Sequence, residues 1–190
     1  MRNIAVFIDR DGTLIEDVGY LSNIDALSLI DGSADAVRRL NKSGIKVVII
    51  TNQAGIAKGF FDESTLLAIH EKLIEMLGEH NAVIDKIYYC PHYPEGTVPE
   101  YSISCLCRKP EPGMVEKAVE ELGIDLKRSY IVGDKASDIE LAQRIGATGI
   151  LVLTGYGSNV VKDNEVNPTY IAPSLKEAVE WILKTVNGER

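Results

Sequence analysis

The chain has 190 residues, of which 45% are hydrophobic and 25% charged, and its formal net charge is −8 with a pI near 4.9. This length suits one domain with its own core (residues 1–190), and the acidic balance argues against nucleic-acid partners and anionic membrane surfaces. Since no run is long enough to span a membrane and the N-terminus lacks a signal-peptide cleavage pattern, we expect a monomeric cytoplasmic protein.

Short apolar runs alternate with amphipathic patterns along the chain. The runs are rich in Ile, Val and Tyr and too short for helices, so they predict buried strands over 3–8, 45–50, 84–89, 129–133 and 148–153. Helical patterns follow over 33–44, 62–80, 112–123, 135–146 and 174–186. This alternation predicts an α/β fold with a doubly wound parallel sheet, whose ligands bind beyond the carboxyl ends of the strands.

Capping residues set the expected ends of these helices. Ser33 and Asp62 are good N-cap residues. Four glycines are expected as helix stops: Gly44, Gly78, Gly123 and Gly146. His70 and His80 lie on or just after the second helix and are expected to face solvent, while Trp181 is expected to pack the last helix onto the core.

Two carboxylates follow the first predicted strand. The sequence DRDGT places Asp9 and Asp11 one residue apart at its end. Carboxylates with this spacing can converge on one cation and one substrate. An Asp-Gly pair is also typical of a plain turn, but a turn gives no reason for the charge at Asp9, where a buried strand closes.

Other strand ends carry polar side chains as well. Thr51 and Asn52 offer a hydroxyl, an amide and backbone N–H groups to an anion, although either residue could simply cap the next helix. In GDKASD, Asp134 and Asp138 suit Mg²⁺, although a helix cap and a solvated residue would give the same pattern. With Lys109 after the third strand, these groups meet the needs of phosphoryl transfer.

The order DRDGT, Thr51, Lys109 and GDKASD resembles the four motifs of the haloacid dehalogenase superfamily of phosphatases. The resemblance implies a Rossmann-like core, a catalytic Mg²⁺ and an aspartyl-phosphate intermediate. It implies that Asp9 is the nucleophile, that Asp11 is the general acid and then the base, and that Thr51 and Lys109 stabilise the phosphoryl group. The magnesium ligands it implies are Asp9, Asp134 and the backbone carbonyl of Asp11, with Asp138 as their neighbour.

The third strand leads into a loop that contains all three cysteines. Four residues form the pattern C-x-H-x12-C-x-C: Cys90, His92, Cys105 and Cys107. Such a set matches tetrahedral Zn²⁺ with no open position for water, so the metal is expected to be structural, although iron could take its place. Three thiols cannot all pair within one chain, which disfavours a disulfide loop. Residues 91–111 have four prolines and few apolar side chains, so the clip would order this loop and hold Arg108 and Lys109.

Longer motifs narrow the resemblance. DVGY, TNQAGIAKGFF, YYCPHYPEG, CLCRKPEPGM and VGDKASD resemble the zinc-containing, nearly capless branch of the superfamily that removes the 7-phosphate from heptose 1,7-bisphosphates. This implies a small sugar bisphosphate as substrate and a role in nucleotide-activated heptose and lipopolysaccharide biosynthesis. The substrate-binding residues it implies are Asp17, Gly19, Tyr20, Thr51, Asn52, Gln53, Arg108, Lys109 and Lys135. Neither 13–32 nor 52–61 has room for a separate cap domain.

Three alternatives stay open. The histidinol-phosphatase type shares the core and the zinc, but its loop is shorter between the ligand pairs, and the gap here is twelve residues. A phospho-accepting receiver domain also has acidic residues, Thr and Lys at strand ends, but accepts phosphate after its third strand. A zinc-stabilised interaction module gives no role to Asp9, Asp11 and Asp134.

Overall fold

The computed structural model describes residues 2–164 and 166–188, in which six parallel strands form one sheet. The strands are β1 (Ala5–Ile8), β2 (Lys46–Asn52), β3 (Lys86–Cys90), β4 (Tyr130–Gly133), β5 (Thr148–Val152) and β6 (Tyr170–Ala172). Their order across the sheet is β3-β2-β1-β4-β5-β6. All five predicted strands are confirmed, and β6 is an additional edge strand that the sequence did not predict.

The predicted helices are also confirmed, with two short additions. The helices are α1 (Ser33–Lys42), α2 (Ala54–Ala57), α3 (Glu63–Glu79), α4 (Gly113–Leu122), α5 (Ala136–Ile145), α6 (Gly157–Asp163) and α7 (Leu175–Val186). The sequence did not predict α2 and α6, which are four and seven residues long. Among the described residues, no helix combines the length and apolarity needed to cross a membrane.

Two of the predicted helix ends were wrong. Asp62 caps α3 as predicted, by accepting a bond from Thr65 N. Ser33 is not an N-cap, because Gly32 takes that position with a φ of 77° and Ser33 already lies inside the first turn of α1. Gly78 does not stop α3, which continues to Glu79 before Asn81 adopts a φ of 56°. The other three expected stops, Gly44, Gly123 and Gly146, have positive φ after their helices.

Both faces of the sheet are covered by helices, as the doubly wound prediction requires. Alternate residues of a strand point to opposite faces. On β1, Val6 and Ile8 pack with the buried sides of α1, α3 and α7, whereas Ala5 and Phe7 pack with those of α4 and α5. Trp181 of α7 stacks on Tyr170 with ring centroids 4.8 Å apart and packs against the core, as predicted.

The strand order reverses at β1, which lies between β2 and β4. At such a switch point the crossover helices leave in opposite directions and open a crevice beyond the strand ends. Residues 13–32 hold only a short 3₁₀ helix (Ile24–Ala26) and isolated bridges, and residues 52–61 hold only α2 as a helix. These segments form no separate cap, so the crevice stays open.

Candidate active site

Asp9 and Lys109 form a buried ion pair at the switch point. Asp9 directly follows β1, and its Oδ1 lies 2.7 Å from Lys109 Nζ. The ammonium also lies 2.6 Å from Asp138 Oδ1 and donates to the carbonyl of Ile50 at 2.9 Å. Burial raises the pKa of Asp9, but the charges of Lys109 and Lys135 outweigh this, and the pKa lies below its ordinary value. Asp9 is therefore held as a carboxylate.

The same crevice has oxygen atoms that fit a divalent cation. Asp9, Asp134 and Asp138 each offer a carboxylate oxygen, and these oxygens lie within 4.8 Å of one another. Asp9 Oδ2 is buried without a hydrogen-bond partner. Burial and the charge of Asp9 raise the pKa of Asp134 to about 8. Mg²⁺ prefers hard oxygen ligands, and carboxylate oxygens that lack a hydrogen-bond donor and lie close to other negative charges fit this preference.

Asp138 differs from the other two carboxylates. One of its oxygens lies against Lys109 Nζ, and the other accepts a bond from Lys135 N at 3.1 Å. Since one oxygen of Asp138 is in the ion pair with Lys109 and the other accepts a hydrogen bond, the arrangement favours Asp9 and Asp134 as side-chain ligands and Asp138 as the group that holds Lys109. The carbonyl of Asp11 faces the same region, where Lys135 Nζ lies 3.5 Å away.

Asp11 lies at the wall of the crevice and is surrounded by donors. Arg10 donates to it from Nε and Nη2, the latter at 2.9 Å. Gln53 Nε2 donates to Asp11 Oδ2 at 2.9 Å and to Thr51 Oγ1 at 2.7 Å, and Thr51 Oγ1 lies 3.4 Å from Asp11 Oδ2. The structure thus brings Asp11, Thr51 and Gln53 together.

Gly12 lets the first and fourth strand ends approach. Its φ is 87°, and a Cβ at this position would lie 2.4 Å from Asp134 Oδ2. Residues other than glycine avoid this backbone region, and their Cβ atom would collide with Asp134 here. The glycine of DRDGT is therefore required for the carboxylates of β1 and β4 to meet.

An open pocket of about 390 Å³ lies above these groups. Most of the residues predicted to bind substrate line it: Asp17, Gly19, Tyr20, Asn52, Gln53, Arg108, Lys109 and Lys135. Thr51 is buried below it, between Asp11 and Gln53. Lys135 Nζ lies 3.3 Å from Asp17 Oδ2, and Asp17 Oδ1 accepts a bond from Gly19 N at 2.7 Å.

Asn52 and Arg108 also have partners within the protein. Asn52 donates to the carbonyl of Lys109 and accepts from its N–H, at 3.1 and 3.0 Å. This pair of bonds fixes the Lys109 backbone to the end of β2. Arg108 Nη1 donates to the carbonyl of His92 at 3.2 Å, and its guanidinium lies over the ring of Tyr93. Both side chains thus anchor the loop from which the cations project.

The predicted zinc ligands converge in that loop. The three sulfurs of Cys90, Cys105 and Cys107 lie 3.1 to 3.4 Å apart, and His92 Nδ1 lies 3.4 Å from Cys107 Sγ. All three cysteines are free thiols, so the structure contains no disulfide in this loop. Burial raises the pKa of the Cys90 thiol, a cost that a bound cation offsets. This donor set fits a tetrahedral Zn²⁺.

Known proteins are similar to this one over nearly the whole chain. A protein of Yersinia pestis named D-glycero-beta-D-manno-heptose-1,7-bisphosphate 7-phosphatase is 44% identical, over 91% of this chain and 92% of its own. A D-glycero-D-manno-heptose-1,7-bisphosphate 7-phosphatase of Thermosynechococcus vestitus is also 44% identical, over 94% of each chain. The chain belongs to this phosphatase family. A family model described as HAD-hydrolase-like also matches the chain, over residues 106–178.

A solved structure of the same family agrees in fold. It is the D,D-heptose 1,7-bisphosphate phosphatase of B. bronchiseptica, complexed with magnesium and phosphate. The two chains superpose with a TM-score of 0.87 at 33% identity, covering 96% of this chain and 99% of the other. The neighbouring structure therefore shares the fold of this chain over nearly its whole length.

The loop of this phosphatase is held by more than its cysteines. Thr97 N and Val98 N both donate to the carbonyl of Ala57, at 2.8 and 2.9 Å. Glu63 accepts bonds from the hydroxyls of Tyr89 and Tyr101, at 2.9 and 3.0 Å. The sequence predicted a zinc clip that orders the loop, and the structure shows that α2 and α3 also supply partners, which the composition of the loop did not indicate.

Several pocket residues were missed in the sequence. Tyr156 and Ser137 line the pocket, and Tyr156 N donates to Asp134 Oδ2 at 2.8 Å. Lys58 Nζ donates to the hydroxyl of Tyr20 at 2.6 Å and lies over the ring of Tyr93. Lys58 lies within TNQAGIAKGFF, and a lysine in that motif is the one signal that could have found it. Tyr156 follows β5, a strand end at which no functional residue was predicted.

The prediction that His70 faces solvent was wrong. His70 is buried, and its Nε2 lies 3.1 Å from Arg10 Nη1. It shares the buried side of α3 with Leu66, Ile69 and Leu73, at helical spacing. His80 is exposed, as predicted, where α3 ends.

Proposed function

We propose that this protein hydrolyses the 7-phosphate of a D-glycero-D-manno-heptose 1,7-bisphosphate and supplies the 1-phosphate for nucleotide-activated heptose. The observation that carries the proposal is the buried Asp9–Lys109 pair beneath a pocket that is also lined by Arg108 and Lys135. The pocket thus has a nucleophile with Lys109 and Lys135 beside it, and a further cation, Arg108, on the wall formed by the loop. This is what a substrate with two phosphates requires.

In the proposed first step, an oxygen of Asp9 attacks the 7-phosphorus atom. The bond from phosphorus to the sugar oxygen breaks, and that oxygen takes a proton from Asp11, so the sugar leaves as an alcohol. Lys109 and the hydroxyl of Thr51 offset the negative charge that develops on the phosphoryl oxygens. The buried salt bridge to Asp138 keeps the Lys109 ammonium in place.

In the second step, water attacks the aspartyl-phosphate, and Asp11 takes a proton from that water. Phosphate leaves and the Asp9 carboxylate is restored. The residues that would hold Mg²⁺ are Asp9, Asp134 and the carbonyl of Asp11. When bound there, the ion supplies positive charge to the phosphoryl oxygens and keeps Asp9 ionised.

The other phosphate would lie at the outer wall of the pocket. Arg108 and Lys58 approach the Tyr93 ring, to 5.0 and 4.8 Å, so two cations meet at one aromatic side chain. A zinc ion held by the cysteine cluster and His92 would fix the loop that presents Arg108. The single domain, the monomeric state and the cytoplasmic location stay predictions, and size-exclusion chromatography tests the monomer.

The deciding experiment is phosphate release with Mg²⁺ from both anomers of heptose 1,7-bisphosphate, with histidinol phosphate and fructose 1,6-bisphosphate as competitors. We expect kcat/KM to be highest for one heptose anomer, with the 1-phosphate left intact as shown by ³¹P NMR. Equal or faster turnover of histidinol phosphate would preserve the phosphatase mechanism and overturn the substrate. Asp11→Asn should lose nearly all turnover.

A further inference from the structure

A chain of buried side chains connects α3 to the Asp11 carboxylate. Arg10 lies between the two proposed catalytic aspartates and is 1% exposed. Its Nη1 lies 3.1 Å from His70 Nε2, and its Nε and Nη2 donate to both oxygens of Asp11 at 2.9 to 3.2 Å. One edge of the guanidinium is thus bonded to the helix and another to the carboxylate.

The chemistry of the two side chains decides which one donates the hydrogen bond between Arg10 and His70. A guanidinium has five N–H donors and no acceptor, so His70 Nε2 accepts and carries no proton. Burial, and then the charge of Arg10, lowers the pKa of His70 to about 3. His70 is therefore a constant neutral acceptor, and the chain runs from His70 through Arg10 to Asp11.

The imidazole of His70 is a polar group on the otherwise apolar buried side of α3. The other buried residues of α3 are the apolar Leu66, Ile69, Leu73 and Leu77. A buried imidazole is costly unless its nitrogens are bonded, and the partner of His70 leads directly to the reacting groups. An apolar side chain would satisfy the packing of α3, but it would leave Arg10 Nη1 without this acceptor.

We propose that His70 and Arg10 are positioning residues for Asp11: α3 fixes the guanidinium, and the guanidinium fixes the carboxyl group that exchanges protons with the substrate oxygen and with water. This inference rests on the proposed phosphatase mechanism. It assigns to Arg10 a role distinct from charge neutralisation, since a guanidinium held at one edge orients its partner more narrowly than a mobile cation does.

The test compares two leaving groups in single turnovers with enzyme in excess and saturating Mg²⁺. Heptose 1,7-bisphosphate releases an alcohol that needs a proton from Asp11, whereas para-nitrophenyl phosphate releases a stable phenolate that needs none. In His70→Leu, we expect the single-turnover rate constant for the sugar substrate to fall about tenfold, with little change in the enzyme concentration that gives half-maximal rate. The release of para-nitrophenolate should stay within about twofold of wild type.

Two further variants complete the comparison. His70→Gln keeps an acceptor near the position of Nε2 and should retain most of the sugar rate, while His80→Leu makes the same change as His70→Leu at the exposed end of α3. If His70→Leu does not fold, Arg10→Lys takes its place, because a lysine keeps the charge but cannot bond both partners with a planar fork.

Several results would overturn the inference. They are an equal slowing of both substrates, a His70→Leu enzyme as fast as wild type or faster, and a His70→Gln enzyme as slow as His70→Leu. Failure of the proposed function is visible separately, because the wild-type enzyme would then release no phosphate from heptose 1,7-bisphosphate, whatever its rate with para-nitrophenyl phosphate.

Discussion

Lys109 balances the charge of the buried carboxylates. Its ammonium touches Asp9 and Asp138 within 2.7 Å, and all three side chains are almost fully buried. Removing one partner of such a group leaves uncompensated charge in the interior. Lys109→Met should therefore lose about 3–5 kcal/mol of unfolding free energy and about 10²- to 10³-fold in turnover. Urea unfolding and phosphate release measure the two effects.

The double variant of Lys109→Met with Asp138→Asn separates the two effects. It removes the charge of Asp138, one of the two carboxylates that lose their partner in Lys109→Met. The free energy of unfolding should therefore partly recover, while turnover should not. Lys117→Met is the control, because Lys117 is exposed on α4 and lies over the Tyr88 ring. Full recovery of turnover in the double variant would contradict the role of Lys109 at the phosphoryl group.

Gly12 offers a second test at the level of one residue. Gly12→Ala would place a Cβ 2.4 Å from Asp134 Oδ2, at a φ of 87°. Gly44→Ala is a matched control, with a φ of 70° and no atom within 4 Å of the added carbon. Both variants should lose about 1–2 kcal/mol through the backbone. Gly12→Ala alone should also need more Mg²⁺ for half-maximal phosphate release, and equal Mg²⁺ dependence in the two would refute the contact.

Among the elements, the loop between β3 and α4 is expected to depend in part on the zinc proposed for its cysteine cluster. Arg108 donates to the carbonyl of His92, a proposed zinc ligand, so loss of zinc should release Arg108. After chelation and return of excess Mg²⁺, we expect kcat/KM to fall about 10- to 100-fold, as when the support of a site is removed. Proteases should cut faster within 91–111, and added Zn²⁺ should restore both properties. Metal-free protein with full kcat/KM would contradict this.

How far the sequence predicts these elements is best seen on α3. Its apolar spacing and the cap at Asp62 predicted the helix and its start. His70 was predicted wrongly because the general tendency of histidine to be exposed was weighed above its position, four residues after Leu66 and three before Leu73. The spacing alone indicated a buried residue.

The strand ends show which contacts of the site can be predicted from the sequence and which cannot. The position of Asp9, Thr51, Lys109 and Asp134 after successive strands indicated that they meet, because parallel strands end at one edge of a sheet. The bonds from Asn52 to the Lys109 backbone join residues 57 positions apart, so no local pattern contains them. The edge strand β6 has only three residues and gives no periodic signal.

For the molecule as a whole, the acidic surface opposes the approach of an anionic substrate. The chain has 28 acidic and 20 basic side chains, which repel such a substrate at a distance. The pocket region contains Lys58, Arg108, Lys109 and Lys135 beside carboxylates such as Asp11 and Asp17, so attraction depends on these cations at short range and on the charge that bound Mg²⁺ would add. The substrate should therefore feel net attraction only within its last ångströms of approach.

The effect of salt shows whether repulsion by the acidic surface or attraction at the pocket controls substrate binding. The Debye length is about 10 Å at 0.1 M salt, so salt weakens both the repulsion by the surface and the attraction at the exposed side of the pocket. Attraction should dominate because Arg108 lines the pocket and Lys58 lies beside its wall residue Tyr20, whereas the surface acids are spread over the molecule.

The bisphosphate should therefore bind more weakly as salt is added. We expect its KM to rise about threefold or more between about 20 and 200 mM KCl, with kcat nearly constant. For para-nitrophenyl phosphate the change in KM should be smaller, because its single phosphate engages the buried Lys109 and does not need the outer cations. If KM instead falls with added salt, the surface charge governs access to the site.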